Sequence, residues 1–169
     1  MNVLVLGSGG REHAMVKALA TTLDQDHIFV CPGNPGTHAI ATNISVSLSD
    51  TEALVVWAKE HEIDLVIPGP EQPLVDGVAD AFGNAGIPCC GPKASAARLE
   101  GSKIFTRQVT TAVKVPAPEF AIVKTHAELD EALNGWSKSL PVIKADGLAA
   151  GKGVFLPEEL EECHTIGHE

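Results

Sequence analysis

Val3-Leu4-Val5-Leu6-Gly7-Ser8-Gly9-Gly10-Arg11-Glu12-His13 decides how the first half of the chain is read. An apolar run closes on a glycine turn, and from His13 to Leu23 apolar residues recur at helical spacing at Ala14, Val16, Ala18, Leu19 and Leu23. The order is strand, turn, helix. It returns with Ile28 to Cys31 before PGNPG, a helix over Thr51 to Glu62, Asp64 to Pro68 before GPEQP, a helix over Leu74 to Ala85, and Ile87 to Cys90 before GPK. The strand-like runs are continuous rather than alternating, as in parallel sheets buried on both faces, and the helices are the crossovers. The first 92 or so residues therefore read as an open, doubly wound α/β domain. Ligands of such sheets sit beyond the carboxyl ends of the strands, and every Gly/Pro-rich turn falls there.

Farther along, helices are expected over Ala94 to Leu99 and Lys103 to Ala112, and VPAPEF then ends the helical pattern. Phe120 to Val123 and Leu140 to Ala145 read as strands around a helix over Ala127 to Trp136, and GLAAGKG turns the chain into a strand at Val154 to Leu156. The acidic tail PEELEECHTIGHE offers a short helix start. The domains are drawn at 1–100 and 101–169.

Composition narrows the function classes. Among 169 residues, 44% are hydrophobic and 20% charged, which suits a chain that buries a core and argues against disorder. Twelve Lys and Arg against 22 Asp and Glu give a net charge of −10, with no basic cluster, so a nucleic-acid partner is disfavoured. No apolar stretch approaches the roughly 18 residues of a membrane span, and MNVLVLGSGG has no basic leader. A cytoplasmic location is expected. Cys31, Cys89, Cys90 and Cys163 form no CxxC pair, so buried thiols are preferred over zinc or redox chemistry.

The turn at Gly7 to His13 stands where helix-terminal N–H groups favour an anion, and Arg11 and His13 beside it favour phosphate over a mere tight turn. A dinucleotide fingerprint would need Gly or Ala where Glu12 stands and a carboxylate after the second strand, where Pro32-Gly33-Asn34 follows. A nicotinamide-linked oxidoreductase is disfavoured. Glu71, at the edge of a later strand, is read equally as a carboxylate for ligand hydroxyls or an amine and as a cap for the helix that begins near Pro73. Gly147-Leu-Ala-Ala-Gly151-Lys152-Gly153 is not a Walker loop: its glycine spacing is short and Gly153 replaces the Ser or Thr that would hold Mg²⁺. Strand-like flanks make it a glycine-rich flap of the kind that lays N–H groups over a triphosphate. Lys144, inside an apolar strand, is expected to have a functional partner, whereas Lys103 alone would read as a solvated helix residue.

Together GSGGREH, PGNPGT, GPEQPLVDG, LEGSKIF and VIKADGLAAGKGV, spread over about residues 1 to 155, resemble glycinamide ribonucleotide synthetases, the phosphoribosylamine-glycine ligases of the ATP-grasp superfamily. The resemblance implies a Rossmann-like, pre-ATP-grasp domain followed by the start of an ATP-grasp domain. It implies a purine-biosynthetic ligase in which ATP phosphorylates glycine and the amine of 5-phosphoribosylamine attacks the glycyl phosphate. Carried onto this sequence, Gly9, Gly10, Arg11, Glu12, Asn34 and Glu71 would bind the sugar phosphate, and Lys103, Lys144, Gly147, Gly151, Lys152 and Gly153 would bind ATP. The family's Mg²⁺ or Mn²⁺ ligands and the groups at the reacting atoms would lie in a C-terminal portion that these residues do not include. No metal site is read in the acidic tail. The chain alone is expected to be an incomplete enzyme without turnover, with that remainder as its partner. The competing expectation is a non-catalytic sugar-phosphate or nucleotide module acting with another chain.

Overall fold

Each residue of the first strand, β1 (Val3–Gly7), is fully buried, and the sheet grows outward from it. The computed structural model describes residues 1–136, 139–149 and 151–168, and the chain divides into two units, Met1–Arg98 and the residues from Leu99 onward. In the first unit β1 pairs in parallel with β2 (Ile28–Pro32) and β4 (Leu65–Pro68), and β2 with the short β3 (Thr42–Asn43), in the order β3-β2-β1-β4. The crossovers are α1 (Gly10–Leu19), α2 (Pro35–His38), α3 (Thr51–Glu60), α4 (Gln72–Val75) and α5 (Val78–Asn84).

Alternate β1 side chains serve opposite layers, which is why the run is apolar throughout. Leu4 and Leu6 pack with Leu54, Ala58 and Phe82 on one face, and Val3 and Val5 with Val16 and Ala41 on the other. Both layers exclude water, so register is strongly specified: Val5 lies beside Val30 and Ile67.

Several expectations need correction. The helix expected over Leu74 to Ala85 is two helices, broken at Gly77, whose φ of 93° puts the chain in the left-handed region. Ile87 to Cys90 is not a full strand: it meets β4 through one parallel bridge, Val66 with Cys89, made by Val66 N–H to Pro88 O at 2.9 Å and Cys90 N–H to Val66 O at 2.8 Å. Helix α1 starts earlier, at Gly10, so the glycine turn is itself the helix N-terminus. Sequence reasoning passed over α2 and β3, which are too short to show a period.

Helix α6 (Ala94–Gly101) leads into the second unit, made of α7 (Lys103–Ala112), α8 (His126–Gly135), the antiparallel pair β5 (Ile143–Lys144) and β6 (Val154–Phe155), and α9 (Leu160–His168). Thr125 and Glu128 start α8 with a reciprocal capping box: Glu128 N–H donates to the Thr125 hydroxyl at 3.2 Å and Thr125 N–H to the Glu128 carboxylate at 3.1 Å. Leu129, Leu133 and Cys163 form the small core, with Ile143 against it. The strand expected at Phe120 to Val123 is absent; Phe120, Ile122 and Val123 remain more than a third exposed. Strand-forming residues become a strand only where a neighbour accepts their backbone groups, and among the described strands β5 pairs with β6 alone. The acidic tail exceeds expectation by forming α9. No described helix is long and apolar enough to cross a membrane.

Candidate functional site

Three turns leave the sheet side by side. β1 and β2 end in register at Gly7 and Pro32, where Gly33 N–H donates to Gly7 O at 3.1 Å, and Gly69 N–H, just past β4, donates to Leu6 O at 2.8 Å. Side chains then fasten the turns to one another. Asn34 caps α2, its Oδ1 accepting from Gly36 N–H at 2.8 Å and Thr37 N–H at 3.0 Å, while its Nδ2 donates to Ser8 O at 2.9 Å in the first turn. The Thr37 hydroxyl, fully buried, donates within reach of both Asn34 O at 2.9 Å and Asn43 Oδ1 at 2.8 Å and accepts from Asn34 N–H at 2.8 Å. Thr37 and Asn43 were missed by sequence reasoning; the Asn-x-x-Thr spacing of a capping box was the available signal for Thr37, and nothing local marks Asn43.

Glu12 turns inward. It is only 6% exposed, its Oε2 accepts from Gly9 N–H at 2.6 Å, and its side chain fills the space that a Cβ at Gly7 or Gly69 would need. The carboxylate that spoils a dinucleotide fingerprint thus holds the first turn against the third. Gly10 is open: a Cβ there would meet nothing within 4 Å, and as the first residue of α1 its N–H has no acceptor within the helix. Arg11 donates from Nη1 to Gly69 O at 2.5 Å and to Glu71 Oε1 at 2.9 Å. That hydrogen bond from Arg11 holds the Glu71 carboxyl below its ordinary range, and Glu71 in turn raises Arg11. Of the two readings of Glu71, the cap is not made: it stands at the N-cap of α4, but its side chain makes no cap hydrogen bond.

In the second unit Lys103, at the start of α7, donates from Nζ to Gly147 O at 2.8 Å. Lys103 and Lys144 line one cavity of about 500 Å³, with Phe120 and Trp136 among its apolar walls. Lys144 does not bear out the argument that it needs a partner, because β5 is two residues long and Lys144 is exposed. Gly147 and Gly151 have φ of 90° and 80°, which side chains resist, and a Cβ at Gly153 would come within 2.7 Å of Ala149 Cβ. Lys152 is exposed, and its N–H closes a turn on Ala149 O at 2.8 Å. Ala150, inside the expected flap, lies outside the described residues.

Asp146, just before Gly147, accepts from Ser102 Oγ at 3.0 Å and Ile104 N–H at 3.2 Å. Desolvation pushes its carboxyl up, but the hydrogen bonds from Ile104, Ser102, Gly147 and Lys103 outweigh it, so the carboxyl sits below its ordinary range. Burial pushes the Cys89 thiol to about 11, with the neighbouring Cys90 adding to it, which keeps Cys89 protonated and unreactive. Among the described residues no three His, Cys, Asp or Glu side chains gather to hold a metal ion. In the acidic tail, Glu162 instead accepts from Glu158 N–H at 2.7 Å at the start of α9.

Fold and turns define a doubly wound α/β protein whose glycine-rich turns gather at the carboxyl edge of its sheet, joined to a unit that carries a glycine-rich loop between antiparallel strands. Residues 1–100 match the model of the phosphoribosylglycinamide synthetase N domain and residues 101–169 that of the phosphoribosylglycinamide synthetase ATP-grasp (A) domain, so the chain belongs to the phosphoribosylglycinamide synthetase family. It is 46% identical to the phosphoribosylamine–glycine ligase of Haemophilus influenzae, over 96% of this chain and 38% of the relative. With that of Escherichia coli K12 it shares 44% identity, over 100% of this chain and 40% of the relative. The crystal structure of phosphoribosylamine–glycine ligase from Thermotoga maritima superposes with a TM-score of 0.79 at 31% identity, over 99% of this chain and 38% of that one. The chain thus spans about two fifths of these relatives.

Proposed function

We propose that this chain supplies the sugar-phosphate-binding domain, over 1–100, and the leading nucleotide-binding part, over 101–169, of an ATP-dependent ligase that joins glycine to 5-phosphoribosylamine in the cytoplasm. In that reaction a glycine carboxylate oxygen attacks the γ-phosphorus of ATP and ADP leaves. The amine of phosphoribosylamine then attacks the glycyl carbonyl carbon, phosphate departs, and the amine gives up a proton as the amide forms.

The observation that carries the reading is the convergence of GSGGREH, PGNPG and PGPEQP on one sheet edge, fastened by Asn34, Glu12 and Arg11. Gly9 and Gly10 offer a turn with little steric cover, Arg11 offers a cation, and Glu71 beside it can accept from an amine or hydroxyl. Glu12 and Asn34 serve that site chiefly by shaping its turns. Both partners of the Arg11–Glu71 pair are exposed, so an incoming phosphate can take Arg11 over at small cost. For ATP, Lys103, Lys144 and Lys152 supply positive charge beside a loop in which Gly147 and Gly151 hold left-handed backbone, and positive charge is what the charge developing in phosphoryl transfer requires.

Isothermal titration of the chain with ribose 5-phosphate, a stable stand-in for phosphoribosylamine, tests this. Saturable binding is expected, weakened about tenfold or more in Arg11→Ala because hydrogen bonds to charged groups are the stronger kind. Absence of binding, or binding indifferent to Arg11, overturns the assignment.

A further inference from the structure

Two motifs, GSKIF and KADGLAAGKG, meet through Ser102 and Asp146, 44 residues apart, which the proposed function leaves without a role. Asp146 sits at the entrance of the glycine loop, yet its carboxylate reaches the N-terminus of α7, accepting from the Ser102 hydroxyl and the Ile104 amide. Ser102 does double duty, because its Oγ also accepts from Phe105 N–H at 3.1 Å as the N-cap of α7. The very next residues repeat the link in the opposite sense, with Lys103 Nζ donating to Gly147 O at 2.8 Å. Helix start and loop entrance are thus joined by an acid receiving from the helix and a lysine donating to the loop.

We propose that Asp146 and Ser102 are positioning residues: they latch the glycine loop to the start of α7, so that Lys103 and the loop approach a ligand as one body. The inference rests on reading Lys103 and the loop as facing the nucleotide. An ammonium has three donors, and the bond to Gly147 O uses one. The remaining donors then point from a place set by the latch, with the loop amides held in a constant relation to them. Without the latch, the left-handed glycines at 147 and 151 leave the loop free to wander from Lys103.

Lys152, exposed within the loop, provides a readout that needs no ligand. Trypsin cleavage between Lys152 and Gly153 in the full chain, followed by mass spectrometry, reports how often the loop opens. Asp146 is exposed, so Asp146→Ala leaves no cavity, and it is expected to raise that rate about tenfold. Ser102→Ala is expected to raise it about threefold and Ser102→Thr to restore the wild-type rate. If the two residues act through each other, the double alanine variant cleaves no faster than Asp146→Ala alone. Cleavage after Lys124 in the same unit and Lys59 in the other should not change. A Lys152 rate indifferent to Asp146, additive effects, or a rise matched at Lys124 overturns the latch. A failed ribose 5-phosphate titration would sink the sugar-phosphate site and leave this result standing.

Discussion

The two units differ in how apolar sequence is turned into structure. In the first, β1 has neighbours on both sides and helices above and below, and all its residues are buried. In the second, the hydrophobic core cluster among the described residues shrinks to Leu129, Leu133 and Cys163, the sheet is a two-residue ribbon, and Val142, Val154 and Leu156 stay exposed. A lone two-stranded ribbon is marginal in water, so this unit relies on α8, α9 and polar ties such as Asp146. The lesson is that a hydrophobic run becomes a buried strand only where partners exist on its edges and faces.

The contrast is sharpest in the cores. Phe82→Ala should cost the first unit about 3–5 kcal/mol, the usual range for removing a fully buried aromatic ring, and Leu133→Ala should cost the second distinctly less because its surroundings can collapse. Urea unfolding of single-tryptophan variants, with Trp57 reporting the first unit and Trp136 the second, measures both. Equal costs would break the comparison.

A smaller effect tests how the first unit builds its turns. Gly69→Ala places a methyl where the Glu12 side chain lies, and is expected to lower stability by about 1–3 kcal/mol and to weaken ribose 5-phosphate binding. The double variant Gly69→Ala with Glu12→Ala should recover part of the stability but not the binding, since the clash is relieved while the tie to Gly9 N–H is lost. Recovery of both would mean that Glu12 does not shape the turn.

The smallest effect is electrostatic. Arg11 lowers the Glu71 carboxyl in the folded state, so whatever stability the pair adds is present above the unfolded carboxylate range and lost as pH falls through the lowered folded value. Both groups face water, and the change in stability should be near the limit of detection. The titration itself is measurable: the NMR midpoint of the Glu71 side-chain carbonyl should rise in Arg11→Ala. An unchanged midpoint removes the ion pair from the site.

Much of this was legible in particular residues. Val3 to Leu6 reads as a strand buried on both faces, and the turns at Gly7, Gly33 and Gly69 fall on the carboxyl edge by sequence alone, because period and punctuation are local properties. Glu12 is legible as an irregularity in a glycine fingerprint and, through the family resemblance, as a sugar-phosphate residue; that it faces Gly69 needed β4 to lie beside β1. Lys144 misled for the complementary reason, since an apolar run suggested burial that two strands cannot provide.

By itself the sequence determined the alternation of strands and helices in residues 1–92, the break toward a second unit, and the motifs of the phosphoribosylglycinamide synthetase family. Each follows from residue type and spacing along the chain. Only the tertiary structure decided that Asn34 ties two turns together, that Arg11 is already paired with Glu71, and that Asp146 reaches back to Ser102. Those choices depend on side chains distant in sequence meeting within hydrogen-bond reach, and no local pattern encodes a distance across the fold.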